Sequence, residues 1–225
     1  MLITVVRHME PVPVSSVADP ITDIDRPLSD AGVEAGESLL TNVRAAAEEY
    51  GRLPWGNAYG TGYTSPYVRC RQTATLIATA VSPEWRWHEV PELRESAHAP
   101  QVSRLRNKLL VNEESTFELR DRVARFMALV HDATYPVLVV THGDVVNAFR
   151  WVIEGMTFAQ YRELYDDPDN FVPFGAVWSF NTDTRVAERR VLGDTSPDKV
   201  VEMNNRFAHG ADSYRLTLAE AGLSQ

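Results

Sequence analysis

The sequence predicts an α/β fold: a three-layer sandwich with a mostly parallel central sheet and helices on both faces. Three observations carry this. Short apolar, β-branched runs stand at residues 2–6 and 137–141. Segments with apolar residues at helical spacing lie between and after them. Strand-like and helix-like stretches then alternate along most of the chain, the pattern of strands laid side by side by helical crossovers. The 225 residues are 44% hydrophobic, enough for one sizeable core. A single domain is therefore expected over 1–225, with a variable insertion at about 83–114 and a C-terminal tail at about 193–225.

Leu2-Ile3-Thr4-Val5-Val6 reads as a buried strand. Pro11, Pro13, Pro20 and Pro27 keep 10–28 out of regular structure, and long connectors of this kind often serve a site. Ser29 is placed to N-cap a helix that ends near Tyr50, with Leu39, Leu40, Val43, Ala46 and Ala47 on one stripe and Gly51 as its stop. A short strand is expected over 57–63. Ser65 and Pro66 are read as the N-cap and first position of a helix to about Val81. Its apolar face is Tyr67, Cys70, Ala74, Ile77, Ala78 and Val81, and Arg69 falls in its first turn.

Trp85-Arg86-Trp87-His88 reads as a third strand, and a helix is expected near 100–111. Ser115-Thr116-Phe117-Glu118 is a capping box. It opens a helix carrying Leu119, Val123, Phe126, Met127 and Val130. Val137–Thr141 is the clearest buried strand, and His142-Gly143 leads into a helix to about Glu154. Ala176–Phe180 and Arg185–Val191 form a closing pair of strands. Weak helical signals remain near 197–207 and 211–222.

The net charge of −9 argues against a general nucleic-acid or acidic-membrane binder, yet leaves room for a locally positive pocket. The single cysteine, Cys70, rules out an intramolecular disulfide and a Cys-cluster zinc site. It falls on an apolar helix face and is expected in the core. No apolar stretch approaches the ~20 residues of a membrane span. The first residues lack a charged segment followed by an apolar one, so a cytoplasmic location is expected. His88, His98, His131 and His209 have no ligand spacing. Gly60-Thr61-Gly62 is a poor dinucleotide fingerprint, since Ser65 stands at the third glycine position. Asp166-Asp167-Pro168-Asp169 is read as a solvated acidic loop.

In open α/β sheets, ligands bind beyond the carboxyl ends of the strands. Arg7-His8 follows the first strand. Arg69 stands at a helix start, where backbone N–H groups already favour an anion. His142 follows the 137–141 strand and also precedes a helix. Two arginines can hold the oxygens of a phosphoryl group. Two histidines can flank it, one attacking and one stabilising. The expected partner is therefore a small phosphorylated substrate, with no nucleic acid or membrane involved, no metal and no cofactor. Oligomeric state is open.

At these residues the chain resembles the histidine phosphatase superfamily, which includes the cofactor-dependent phosphoglycerate mutases. The resemblance rests on Arg7-His8, on the block from Asp25 to Gly32, on the block from Ser65 to Ala74, on Leu93-Arg94-Glu95, and on Val137 to Gly143. These occur in family order within about 1–150. The resemblance implies that His8 is a nucleophile forming a phosphohistidine. It implies that Arg7, Arg69 and His142 complete the phosphate pocket, and that Glu95 is the proton donor. Asp144 and Glu10 compete for that last role. Three departures stand out. Met9 replaces the family's glycine, which is expected to narrow the pocket mouth. The family's common asparagine a few residues further on has no counterpart among Val14, Ser15 and Ser16. Glu95 is followed by Ser96-Ala97-His98 where mutases carry a Gly- and Trp-containing segment. A metal-independent phosphatase is thus favoured over a mutase. A catalytically weak phospho-ligand or phosphoprotein binding module on the same fold is the alternative.

Overall fold

The strand Leu2–Arg7 (β1) is short because its Val-rich run is buried on both faces and ends where charge begins. In this computed structural model, the described residues are 1–13, 22–38, 61–81, 86–96, 114–133, 136–166, 170 and 172–190. The other elements are helix α1 (30–38), β2 (Thr61–Thr64), α2 (Val68–Val81) and β3 (Arg86–Glu89). After them come a 3₁₀ turn at Pro91–Leu93, α3 (Thr116–Leu129), β4 (Val137–Thr141) and α4 (Gly143–Glu154). Last are α5 (Phe158–Asp166), β5 (Val177–Asn181) and β6 (Val186–Arg190).

Among the described residues the sheet has six strands in the order β3-β2-β4-β1-β5-β6. The four on one side run parallel, and β5 and β6 close the other side antiparallel. Side chains alternate across the sheet and feed two cores. Ile3, Val5, Val137 and Val139 meet Leu119, Val123 and Phe126 of α3 and Val145, Ala148 and Phe149 of α4. Val6, Leu138 and Val140 meet Cys70, Ala74 and Ile77 of α2 on the opposite face. The three-layer expectation holds. No described helix is long and apolar enough to cross a membrane.

Ser29 caps α1 as expected, its Oγ accepting from the Gly32 N–H at 3.0 Å. The capping box at Ser115 and Glu118 is complete. Helix α2 begins two residues later than predicted. Its first turn closes from the Arg71 N–H to the Tyr67 carbonyl at 3.1 Å, and the Val68 N–H, which no helix carbonyl could serve, donates to the Ile24 carbonyl at 2.9 Å. Helix α5 was not anticipated. Its signal is a second capping box, in which the Thr157 N–H donates to Gln160 Oε1 and the Gln160 N–H donates to Thr157 Oγ1. The expected parts of helix and strand over 39–60, the helix near 100–111, and the tail from 193 lie outside the described residues. The core-forming residues fall within the compact unit Met1–Leu192.

Met9 corrects an expectation. Its side chain is 4% exposed and joins the α2-side core with Val6, Leu28 and Ile77. Its thioether lies against Gly175, which has φ +70°, and a Cβ there would meet Met9 Sδ at 2.9 Å. The glycine thus makes the turn and leaves room for the methionine. Met9→Ala is expected to lower the unfolding free energy by about 2–5 kcal/mol in urea titrations, the range for emptying a packed core position. A loss below about 0.5 kcal/mol, typical of surface changes, would place the side chain outside the core.

Candidate active site

Strands β1 and β4 are hydrogen-bonded neighbours in parallel, with Arg7 opposite Thr141. Their carboxyl ends therefore deliver His8 and His142 side by side, ring centroids 5.1 Å apart. The His8 N–H donates to the Thr141 carbonyl at 2.9 Å, which locks the two strand ends together.

His8 is 2% exposed. Its Nδ1 lies 2.7 Å from the Met9 carbonyl oxygen. A carbonyl only accepts, so Nδ1 carries the proton and Nε2 keeps its lone pair. The Arg69 Nε–H points at that lone pair from 3.2 Å. Burial first, then His142, Arg7 and Arg69, hold the His8 pKa well below the ordinary histidine range. His142 is likewise depressed, mainly by burial and then by Arg69. Both rings are neutral at pH 7.

Arg69 stands in the first turn of α2, 3% exposed. One edge of its guanidinium faces the two histidines and Glu95: Nε meets His8 Nε2, and Nη2 lies 3.3 Å from His142 Nδ1 and 3.5 Å from Glu95 Oε2. The other edge is held by Asp23. Nη1 donates to the Asp23 carbonyl at 2.6 Å, and Nη1 and Nη2 reach its carboxylate at 3.4 and 3.3 Å. The ring of Tyr67 lies under the guanidinium, 4.8 Å from Cζ.

Arg7 enters from the opposite side. Its Nη1 donates to the Val172 carbonyl, and its Cζ sits 4.1 Å from the centre of the Phe174 ring. Burial lowers its pKa to about 10, so it stays cationic near neutrality. Gly143 opens α4 directly above it, where a Cβ would stand 3.3 Å from Arg7 Cζ.

Glu95 follows the Pro91–Leu93 turn. Oε1 accepts from the Ser96 N–H at 3.1 Å, and Oε2 lies 3.1 Å from His142 Nδ1. Burial raises its pKa, outweighing the lowering effect of Arg69 and Arg7. The competing acids sit differently. Asp144 accepts a hydrogen bond from Ser96 Oγ. Glu10 contributes its backbone carbonyl to the Ser29 N–H and Oγ.

Each candidate named from the sequence, Arg7, His8, Arg69, Glu95 and His142, is thus tied to this one cluster. His8, Glu95 and His142 each bring a ligand-type atom, all within 4.8 Å of one another. That spacing would also suit a divalent ion, but the Arg69 guanidinium against all three makes the cluster a better seat for an anion.

The family model described as "Histidine phosphatase superfamily (branch 1)" matches residues 3–170. The chain belongs to the histidine phosphatase superfamily. Membership supports phosphatase chemistry in general. No curated protein matches the sequence significantly. Among solved structures, the α-ribazole phosphatase from Shigella flexneri is similar at TM-score 0.59 and 20% identity, over 86% of this chain and 96% of that one. A mycobacterial glucosyl-3-phosphoglycerate phosphatase gives 0.56 and 14%, over 87% and 99%. The phosphoserine phosphatase from Entamoeba histolytica, solved with 3-phosphoglyceric acid, gives 0.57 and 12%, over 87% and 98%. At these identities the likeness speaks for the shared fold.

Several residues of this histidine phosphatase superfamily site were not singled out in sequence. Ser65, read as an N-cap, accepts from the Tyr67 N–H but also places its Oγ 2.8 Å from His142 Nε2. Asp23 and Phe174 belong to connecting segments with no periodicity to mark them. Cys70 is buried as expected, yet its Sγ lies 3.4 Å from His142 Nε2. Burial raises its thiol pKa, so it stays protonated.

The two depressed histidines give a pH signature. The unfolded chain binds protons at about pH 6.5, whereas the folded chain resists them until lower pH. Their stabilising contribution is therefore complete above about pH 6.5 and lost as pH falls toward the folded values, at about 1.4 kcal/mol per pH unit for each. Glu95, raised, works in the opposite sense from about pH 4.3 upward. Chemical denaturation of wild type and His8→Gln between pH 7 and 5 isolates one histidine. The variant is expected to lose less stability over that interval, and equal slopes would contradict a depressed His8.

Proposed function

We propose that the chain is a metal-independent phosphatase that hydrolyses a small phosphomonoester through a phosphohistidine on His8. The observation that carries this reading is the state of His8: a neutral imidazole whose Nδ1–H is pinned to a carbonyl and whose Nε2 lone pair faces cationic Arg69. The solved relatives are named as phosphatases of α-ribazole, glucosyl-3-phosphoglycerate and phosphoserine, which supports a small phosphorylated molecule as substrate. Met9, the departure that most favoured a disabled binding module, lies in the core, so that alternative loses its main support.

In the proposed reaction, a phosphoryl group sits between His8 and His142, its oxygens held by Arg7 and Arg69. Positioning and charge stabilisation do most of the work in phosphoryl transfer. His8 Nε2 attacks phosphorus, and the bond to the leaving oxygen breaks. Glu95, whose pKa burial raises, gives that oxygen its proton. His142, with Ser65 on one ring nitrogen and the pocket on the other, donates from Nδ1 to a phosphoryl oxygen. Water then attacks the phosphohistidine, returning its proton to Glu95 and releasing inorganic phosphate. The covalent intermediate divides one hard displacement into two easier ones.

Hydrolysis of nitrophenyl phosphate in chelator tests the reading. Wild type is expected to turn over, and His8→Ala to fall to background. Wild type denatured in alkaline detergent after exposure to labelled substrate should carry alkali-stable, acid-labile phosphate that His8→Ala lacks. Activity of His8→Ala equal to wild type would sink the mechanism. Glu95→Gln is expected to cost about 10²–10⁴-fold on an alkyl phosphate, the usual worth of general acid catalysis, and far less on nitrophenyl phosphate, whose leaving group departs unprotonated.

A further inference from the structure

We propose that the buried Arg122–Glu114 ion pair is a positioning device for the turn that carries Glu95, holding that carboxyl against His142 and Arg69 without touching substrate. The inference rests on Glu95 acting as the acid.

Arg122 projects from α3 and is 1% exposed, the largest fully buried side chain among the described residues. Its Nε and Nη2 donate to the two Glu114 carboxylate oxygens at 2.6 Å each. Its Nη1 reaches in another direction and donates to two backbone carbonyls, Glu92 and Arg94, the latter at 2.9 Å. Between them, the Leu93 carbonyl accepts from Thr141 Oγ1 at 2.7 Å. Arg94 Nη2 returns to Glu114 Oε1 at 3.1 Å. Three successive carbonyls, at 92, 93 and 94, are thus caught by side chains whose own positions are set by α3 and β4. Glu95 is the next residue.

The energetics separate holding from stabilising. Desolvating an ion pair costs about as much as the pair returns, and apolar residues of similar volume often replace one with no loss of stability. What an apolar pair lacks is a donor for the Glu92 and Arg94 carbonyls. With those contacts gone the turn keeps only the Thr141 bond and the packing of Leu93 behind it, and a displacement of about 1 Å at a reacting group can cost on the order of 10²-fold in rate.

The double variant Glu114→Leu/Arg122→Met tests this, with Thr141→Val as the milder variant should the first fail to fold. Values of kcat/KM are compared on an alkyl phosphate such as glycerol phosphate and on nitrophenyl phosphate, beside wild type and Glu95→Gln. The expected result is a folded variant with about 10²-fold lower kcat/KM on the alkyl ester and little change on the nitrophenyl ester, the leaving-group pattern of Glu95→Gln. An equal loss on both esters, or none on either, overturns the inference while Glu95→Gln keeps its pattern. If Glu95→Gln itself shows no leaving-group dependence, the reading of Glu95 as acid fails first. Should wild type refuse these esters, the Glu95 carboxyl is titrated by NMR. A raised pKa in wild type that returns to the ordinary range in the variant supports the inference, and an unchanged titration overturns it.

Discussion

The Arg69 guanidinium is the constraint on which the rest of the site depends. A buried cation must be matched on every side or it unfolds its surroundings, and each partner of Arg69 does a second job. His8 offers it a lone pair, which requires the other ring nitrogen to be protonated and turned to the Met9 carbonyl. Asp23 balances its charge from the far edge and so aims the near edge at the histidines. Glu95 meets it together with His142. One placed charge thereby orders two histidines, one acid and a connecting loop.

That charge is in turn placed by the sheet. Because β1 and β4 are parallel neighbours in register, their ends form one ledge, and β2 beside β4 brings the start of α2 to the same ledge. The Ser65 N–H bonds to the Val140 carbonyl, so the entry to α2 is built on the strand that carries His142. The apolar runs that make these strands buried on both faces also make their ends the first place where polar side chains can gather.

Much of this was legible from local pattern. The runs at 2–6 and 137–141 are unambiguous because β-branched residues continue without a polar break, and both histidines follow directly. Arg69 was legible through its place in the first turn of a helix. What escaped were residues whose role is set by distant contacts. Asp23 lies among prolines and acids that carry no period. Arg122 lies three residues after Leu119 and four before Phe126, beside the apolar stripe of its helix, and only the turn at 92–94 packed there shows what it holds. Met9 was misjudged because a side chain after a strand points to either face, and the space left at Gly175 decides which.

Strand β1 stands far before both of its sheet neighbours, β4 and β5, in the chain. Ile3 pairs with Val137 and Leu2 with Asn181, so during synthesis β1 waits for β4 and β5 to emerge. Such distant pairings make folding slow, because loop closure must precede the contacts that repay it. His8 is thus present in the nascent chain long before the ledge that neutralises and aims its ring. The surroundings that bury His8 come into being late, with the arrival of β4 and β5.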